Sequence, residues 1–102
     1  MSRSSYPTVP LSGFIHQIFD IEDVTSKYRK RMFILNFQYE GEKFPEQIRL
    51  TLTQDNVHLL DGFAVGAKVT VKYVLRGRGY PKDGITVYYN TLEVVSVEPD
   101  RY

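Results

Sequence analysis

Two stretches of this sequence alternate between apolar and polar residues, and this period of two constrains the fold more than any other feature. The first stretch, 31–40, places four apolar side chains on one face, namely Phe33, Leu35, Phe37 and Tyr39. The second, 45–53, does the same with Ile48, Leu50 and Leu52. Such alternation predicts half-buried strands, and the Glu-Gly-Glu-Lys sequence between them predicts a turn that makes the pair a hairpin.

Before this hairpin, the sequence predicts one strand and one loop. Apolar residues recur from Leu11 to Ile21, and Gly13 within that run is typical of a bulge or a tight bend. Residues 22–30 are polar and have no period, so we expect them to form a loop.

After the hairpin, the alternation stops over Gln54–Gly62. Val57 and Leu60 are three residues apart in this segment and Gly62 can end a helix, so we predict one short helix of about two turns. Alternation returns over Lys68–Arg76, where four apolar residues are expected to face inward, namely Val69, Val71, Tyr73 and Leu75.

The end of the chain completes an all-β pattern. Residues 77–84 contain three glycines and one proline and are expected to form a loop, and Ile85–Val97 predicts a last strand with a bulge near Val94 and Val95. Three strands, a short helix and two more strands is the order of an OB-fold, a five-stranded antiparallel barrel with one short helix between strands 3 and 4. The main alternative is an SH3-like barrel, which normally carries only a 3₁₀ turn late in the chain.

The chain of 102 residues suffices for one domain, which we expect over 11–98, with a flexible Ser- and Pro-rich tail at 1–10 and a polar tail at 99–102. No apolar run approaches the roughly 20 residues of a membrane helix, and the first ten residues lack the apolar core of a secretory signal. Because the chain has no cysteine, disulfides and thiolate metal sites are excluded, and we expect a cytoplasmic protein.

Residues that could carry catalysis are few. His16 and His58 are the only histidines, and the sequence contains neither a His-x-x-x-His motif nor a Ser-His-Asp spacing. The glycines of 77–84 precede a strand rather than a helix N-terminus, which argues against a phosphate-binding loop. We therefore predict that the protein is not an enzyme and has neither a cofactor nor a metal site.

Positive charge is concentrated in two segments, although the formal net charge is only +1. The segment 24–31 contains no anion and four cations, Lys27, Arg29, Lys30 and Arg31. The segment 65–82 contains no anion and five cations, Lys68, Lys72, Arg76, Arg78 and Lys82. A nearly neutral chain can therefore present one basic surface and one acidic surface.

Several short motifs fit one known group of proteins. The fourth strand begins with Gly-x-x-Val-x-Val at 66–71, and Arg-Gly-Arg-Gly-Tyr follows at 76–80. The stretch from about Leu11 to Glu98 resembles the small stand-alone bacterial OB domains related to single-stranded-DNA-binding protein, among them the primosomal replication protein and a domain of unknown function. The last strand of that group usually carries a Trp beside an aromatic residue, whereas this chain has Tyr88-Tyr89 and no Trp.

The expected binding site follows from the geometry of the OB barrel. The loop between strands 1 and 2 and the loop between strands 4 and 5 flank the face of strands 2 and 3, and the two cationic segments coincide with these loops. We predict phosphate contacts from seven cations, namely Lys27, Arg29, Arg31, Arg49, Arg76, Arg78 and Lys82. The predicted stacking residues are Tyr28, Tyr80 and one of Tyr88 and Tyr89. Alternation places that last pair on opposite faces, one in the core and one exposed, and we take Tyr88 as the candidate.

The predicted function is binding of single-stranded DNA with little sequence preference, by phosphate neutralisation and base stacking, and single-stranded RNA stays open. The alternative is a protein-interaction OB domain, an adaptor or subunit of a replication or repair assembly, in which the cations provide solubility and the tyrosines pack the loops. Near-zero net charge, acidic patches and the lack of Trp favour that alternative. Apolar residues on the predicted outer faces also predict a homodimer, namely Phe14, Met32, Ile34 and Val74.

Overall fold

A computed structural model describes residues 7–100 of the chain as strands, turns and one short helix. Six strands run in chain order, namely β1 (Val9–Ile18), β2 (Glu22–Thr25), β3 (Tyr28–Phe37), β4 (Glu46–Thr53), β5 (Lys68–Lys82) and β6 (Ile85–Pro99). A 3₁₀ helix, Gln54–Leu60, lies between β4 and β5. Among the described residues, no helix is long and apolar enough to cross a membrane.

Five of the strands close into a barrel. The hydrogen-bonded order is β1, β5, β6, β4, β3, and pairing of β3 with β1 completes the ring. The contact of β4 with β6 is parallel and joins Thr51 to Glu93, whereas the other pairings are antiparallel. The sixth strand, β2, pairs with β3 outside the ring. This is the predicted five-stranded OB barrel with its helix between the third and fourth barrel strands.

The core fills the barrel with side chains that water barely reaches. Ten apolar residues are at most 2% exposed, namely Ile15, Phe33, Leu35, Leu50, Leu52, Val57, Leu60, Val69, Val71 and Val94. Burying one such side chain stabilises the fold by about 1.5–3 kcal/mol relative to leaving it in water. Ile48 and Tyr73 are half-buried and pack against this core. Phe37, expected in the core, is only half-buried and makes an edge-on contact with the Tyr39 ring at the end of β3.

The helix lies where the sequence predicts it. It is a 3₁₀ helix, in which residues three apart eclipse one another, so Val57 and Leu60 both point into the core. Gly62 follows with a φ of +94°, a left-handed conformation that glycine adopts without strain.

The predicted bulge lies in β6, at the point where it pairs with β5. Lys72 pairs with Ser96 and the next residue, Tyr73, pairs with Val94, so Val95 is the extra residue. A bulge increases the local twist, and beyond this one Val74 is 3% exposed whereas Leu75 is 73% exposed. The predictions of a buried Leu75 and an exposed Val74 were both wrong. Leu75, opposite Leu92, lies where the β5–β6 pair leaves the barrel, and Val74, opposite Glu93, is buried outside the core cluster.

Both predicted loops are ordered hairpin ends. In the segment 22–30, β2 pairs with the start of β3, which begins at Tyr28 rather than at Arg31. In the segment 77–84, β5 and β6 stay paired as far as Lys82 and Ile85, and the turn residues Asp83 and Gly84 have φ values of +53° and +84°. Two positive φ values are typical of the type I′ turn that closes a two-residue hairpin.

The ends of the ordered region differ slightly from the expected limits. Strand β1 begins at Val9 because Val9 and Pro10 pair with Tyr73 and Lys72 of β5. Strand β6 ends at Pro99. Most of the predicted N-terminal tail, 1–6, and the last two residues lie outside the described residues.

Candidate nucleic-acid interface

One open groove of about 1070 Å³ runs over the outer faces of four strands. Because successive side chains of a strand point to opposite faces, alternate residues of each strand line it. These are Tyr28, Lys30 and Met32 of β3, Gln47, Arg49, Thr51 and Thr53 of β4, Arg76, Arg78 and Tyr80 of β5, and Tyr89, Thr91 and Glu93 of β6. Four intervening residues, Ile48, Gly77, Asn90 and Leu92, also contribute to the lining. The last two strands reach the groove as a two-stranded extension, 75–92, that we call the ribbon.

The groove is positively charged. Four cations line it, Lys30, Arg49, Arg76 and Arg78, against one carboxylate, Glu93. Within residues 7–100, Arg49 and Arg78 form neither an ion pair nor a hydrogen bond through their side chains. Their charges are therefore available to an anionic ligand.

The carboxylate of Glu93 is held in place at the junction of β4 and β6. Arg76 donates from Nε to one of its oxygens at 3.0 Å, and the Thr53 hydroxyl donates to the other at 2.9 Å. Charge-assisted hydrogen bonds of this kind are stronger than neutral ones. Arg76 therefore offers less of its charge to a ligand than Arg49 or Arg78 does.

Three tyrosines add flat apolar surface beside these cations. The Tyr80 and Tyr89 rings lie on the ribbon with centroids 5.8 Å apart at an angle of 63°, and both are exposed. Tyr28 lies on the other side of the lining, at the start of β3, and is 39% exposed. Exposed rings interleaved with cations can stack on bases while the cations meet phosphates.

Comparison with protein-family models gives one match, to a domain of unknown function, DUF3127, over residues 10–98. The chain belongs to the DUF3127 family. None of the curated proteins matches it in sequence.

Solved structures share the fold of this DUF3127 domain at low sequence identity. The mitochondrial single-stranded DNA binding protein Rim1 of S. cerevisiae has a TM-score of 0.69 at 15% identity, over 94% of this chain and 96% of that one. The dimeric N-terminal domain of PriB from Thermoanaerobacter tencongensis has 0.63 at 18%, over 93% and 97%. The SSB domain of a Synechococcus protein has 0.66 at 12%, over 95% and 99%. These likenesses support the OB-fold of the DUF3127 domain and the resemblance inferred from its motifs.

The groove of the DUF3127 domain collects half of the sequence-predicted site residues, namely Tyr28, Arg49, Arg76, Arg78 and Tyr80. Lys27 and Arg29 instead line a second cavity beside the helix, together with Gln54 and Asp55. A guanidinium nitrogen of Arg29 lies 3.9 Å from an Asp55 carboxylate oxygen. Lys82 is opposite Ile85 at the ribbon tip, outside both cavities.

Arg31 does not line the groove, and its side chain instead contacts other segments of the fold. Its side chain is 18% exposed, and its Nε donates to the Phe19 carbonyl at 2.9 Å. A terminal nitrogen contacts the Val57 carbonyl and an Asp61 carboxylate oxygen, each at 3.3 Å. Arg31 thus joins β3 to the segment after β1 and to the helix, and we assign it to the fold.

The prediction that one of Tyr88 and Tyr89 is buried was wrong, since they are 72% and 60% exposed. The ribbon extends beyond the barrel, so neither of its faces reaches the core at Tyr88 and Tyr89. Tyr89 faces the groove, opposite Arg78. Tyr88 lies on the reverse face against Gly79, where an added Cβ would come within 2.9 Å of the Tyr88 ring.

The site predicted from the sequence lacked Lys30 and Met32, and of the pair at 88–89 it took Tyr88 as the candidate, whereas Tyr89 lines the groove. Lys30 and Met32 follow Tyr28 at a spacing of two, so extending the alternation back to Tyr28 would have found them. Tyr89 needed the pairing with Arg78, a contact between residues on different strands.

Proposed function

We propose that this protein is a non-enzymatic module that binds single-stranded nucleic acid, DNA in the first place, with little sequence preference. The observation that carries the proposal is the joint lining of one open groove by Arg49 and Arg78 and by Tyr28, Tyr80 and Tyr89. Proteins that bind single strands without sequence preference combine a positive groove with aromatic stacking platforms.

In this mechanism the phosphates lie near Lys30, Arg49 and Arg78, and binding releases the counterions that the strand had condensed. Bases stack on the ribbon tyrosines at one side and on Tyr28 at the other. Stacking tolerates any base because every base has a π-face, and each stack contributes about 1–3 kcal/mol.

The similar folds support the same class of ligand. The yeast protein is named a single-stranded DNA binding protein, and the Synechococcus domain is named an SSB domain. We carry this ligand class to the present chain as a proposal, because their sequence identity to it is only 12–15%.

A labelled oligothymidine titrated at several salt concentrations tests the proposal. We expect binding at low salt that weakens steeply as salt rises. A double variant, Arg49→Glu with Arg78→Glu, should lose this binding. A control, Lys43→Glu with Lys72→Glu, makes the same change in net charge at two exposed residues outside the groove and should retain it. Equal loss in both variants, or no binding by the parent, overturns the proposal. An oligouridine of the same length decides between DNA and RNA.

The reverse face of the ribbon favours a second candidate function, contact with another protein. Eight residues make up this face, and none is charged, namely Leu75, Gly77, Gly79, Pro81, Thr86, Tyr88, Asn90 and Leu92. Leu75 and Tyr88 are the most exposed large hydrophobic residues among the described ones, at 73% and 72%. An uncharged apolar face can meet a copy of itself without charge repulsion, so we propose a homodimer through this face.

The dimer surface proposed here differs from the one predicted from the sequence, because Val74 is buried and Met32 lines the groove. Sedimentation at increasing protein concentration tests it. The parent should approach the mass of a dimer and Leu75→Lys should remain a monomer. A parent that stays monomeric at high micromolar concentration excludes the homodimer.

A further inference from the structure

Gln54 has an unusual backbone conformation at the point where β4 ends. Its φ is +53°, in the left-handed region. In that region the Cβ of an L-residue crowds the backbone, so glycine, and to a lesser degree asparagine, is the usual occupant. A longer side chain at such a position points to interactions that compensate the strain.

Both ends of the Gln54 side-chain amide are engaged with the hairpin of β2 and β3. Nε2 donates to the Lys27 carbonyl at 3.0 Å, and Oε1 accepts from the Arg29 backbone N–H at 3.3 Å. These two partners lie on either side of Tyr28. The amide therefore hydrogen-bonds to the backbone immediately before and immediately after Tyr28, which lines the groove.

The end of this hairpin, residues 22–29, has little else to hold it to the barrel, because the pairing of β3 with β4 begins only at Lys30. All four residues of β2 are exposed, including Val24, and the pairing with β3 is irregular between Asp23 and Thr25. Within residues 7–100, the other polar side-chain contact from residues 25–29 to the rest of the protein is the 3.9 Å pair of Arg29 with Asp55. Before Lys30 the hairpin therefore has two strands only, and a two-stranded hairpin is marginally stable by itself.

We propose that Gln54 is a positioning residue for nucleic acid, whose amide clamp on Lys27 and Arg29 orients Tyr28 toward the groove before the ligand arrives. The inference rests on the proposed function of the groove. A ring that is already oriented does not have to be ordered on binding, and a smaller ordering cost appears as tighter binding.

Two substitutions at Gln54 distinguish the effect of losing the amide contacts from the effect of straining the backbone, because both new residues tolerate its positive φ. Gln54→Gly relieves the strain and removes the amide. Gln54→Asn keeps an amide and tolerates the left-handed φ, but it is one methylene too short to keep both contacts. Neither variant should lower the melting temperature by more than a few degrees. A loss of binding in both variants is then assigned to the clamp.

The experiment is a double-mutant cycle with Tyr28→Ala, read out as affinity for labelled oligothymidine. We expect Gln54→Gly to weaken binding about three- to tenfold, the scale of one or two hydrogen bonds, with the salt slope unchanged. In the Gln54→Gly background, Tyr28→Ala should add less than about a twofold loss, because a ring that is no longer held contributes little. Amide hydrogen exchange at Tyr28 and Arg29 should speed up in both Gln54 variants.

A matched control is available in Gln38, whose Nε2 donates to the Glu42 carbonyl in the turn between β3 and β4, outside the groove. Gln38→Ala removes a comparable contact of glutamine with a hairpin backbone and should leave the affinity unchanged. The inference fails if Gln54→Gly binds as the parent does, or if its loss and the loss from Tyr28→Ala simply multiply. Failure of the groove itself has a different signature, since the parent would then lack salt-dependent binding and Arg78→Ala would change nothing.

Discussion

Strands β5 and β6 pass through two different environments along one continuous ladder. In the barrel half, Val69, Val71 and Val94 are fully buried. In the ribbon, the same two strands remain paired but leave Leu75 and Tyr88 exposed by 73% and 72%. Backbone pairing therefore continues for several residues after apolar burial has ended.

The difference separates stability from function. Apolar burial, which dominates folding free energy, is concentrated in the barrel half. The ribbon exposes two arginines and two tyrosines to the groove, and changes there affect few buried contacts. Changes on the groove face of the ribbon should therefore cost the fold little, and each of the following predictions sets a change in one region against a matched change.

The largest expected effect is on stability, from Leu52→Ala in the barrel. Leu52 is fully buried, so its truncation should lower the free energy of unfolding by about 2–5 kcal/mol. Leu75→Ala in the ribbon should stay within about 0.5 kcal/mol of the parent when both are compared as monomers. Chemical denaturation of both variants measures this, and equal losses would show that the ribbon takes part in the core.

One glycine in the barrel and one in the ribbon allow the cost of an added methyl group to be compared between the two regions. An added Cβ at Gly13 would lie 2.3 Å from the Asn36 carbonyl oxygen across the β1–β3 pairing. Gly13→Ala should therefore cost about 1–3 kcal/mol, since backbone has to shift. At Gly79 the nearest atoms belong to the Tyr88 and Thr86 side chains, which can move, so Gly79→Ala should cost less than about 1 kcal/mol. Thermal unfolding of the two variants ranks them, and the opposite order would contradict the argument.

Binding should distinguish the two faces of the ribbon. Tyr80→Ala should weaken oligothymidine binding by about 1–3 kcal/mol with the salt slope unchanged, because stacking releases no counterions. Tyr88→Ala removes an equally large ring from the reverse face and should leave affinity at the parent value. Fluorescence anisotropy titrations decide this, and a loss of similar size in both variants would move the site away from the groove.

The smallest expected effect is a change in salt dependence. Arg78→Ala should reduce the slope of log K against log salt by about 0.7, the contribution of one phosphate contact to a single strand. Lys72 is an exposed cation of the barrel half of β5, and Lys72→Ala should leave the slope unchanged. Titrations at four or more salt concentrations resolve the two, and identical slopes would show that the cations act only through net charge.

The sequence by itself determined the barrel and much of the groove. Where a strand is part of the barrel wall, a period of two predicts which side chains point into the core. It correctly placed Leu50, Leu52, Val69 and Val71 inside the barrel and Arg49 outside. The slip in apolar phase near Val95 located the bulge. These features are local, since each is encoded in residues that are neighbours in the chain.

Tertiary structure decided the rest, because the deciding partners are distant in the chain. The ribbon's departure from the barrel left Leu75, Tyr88 and Tyr89 exposed. Arg31 has a structural role because it donates to backbone carbonyls 12 and 26 residues away in the chain. Gln54 likewise hydrogen-bonds to a hairpin 25–27 residues away. Alternation in the sequence shows which side of a strand is apolar. The hydrogen-bond acceptors of a cation or an amide depend instead on which segments lie beside it in the closed barrel.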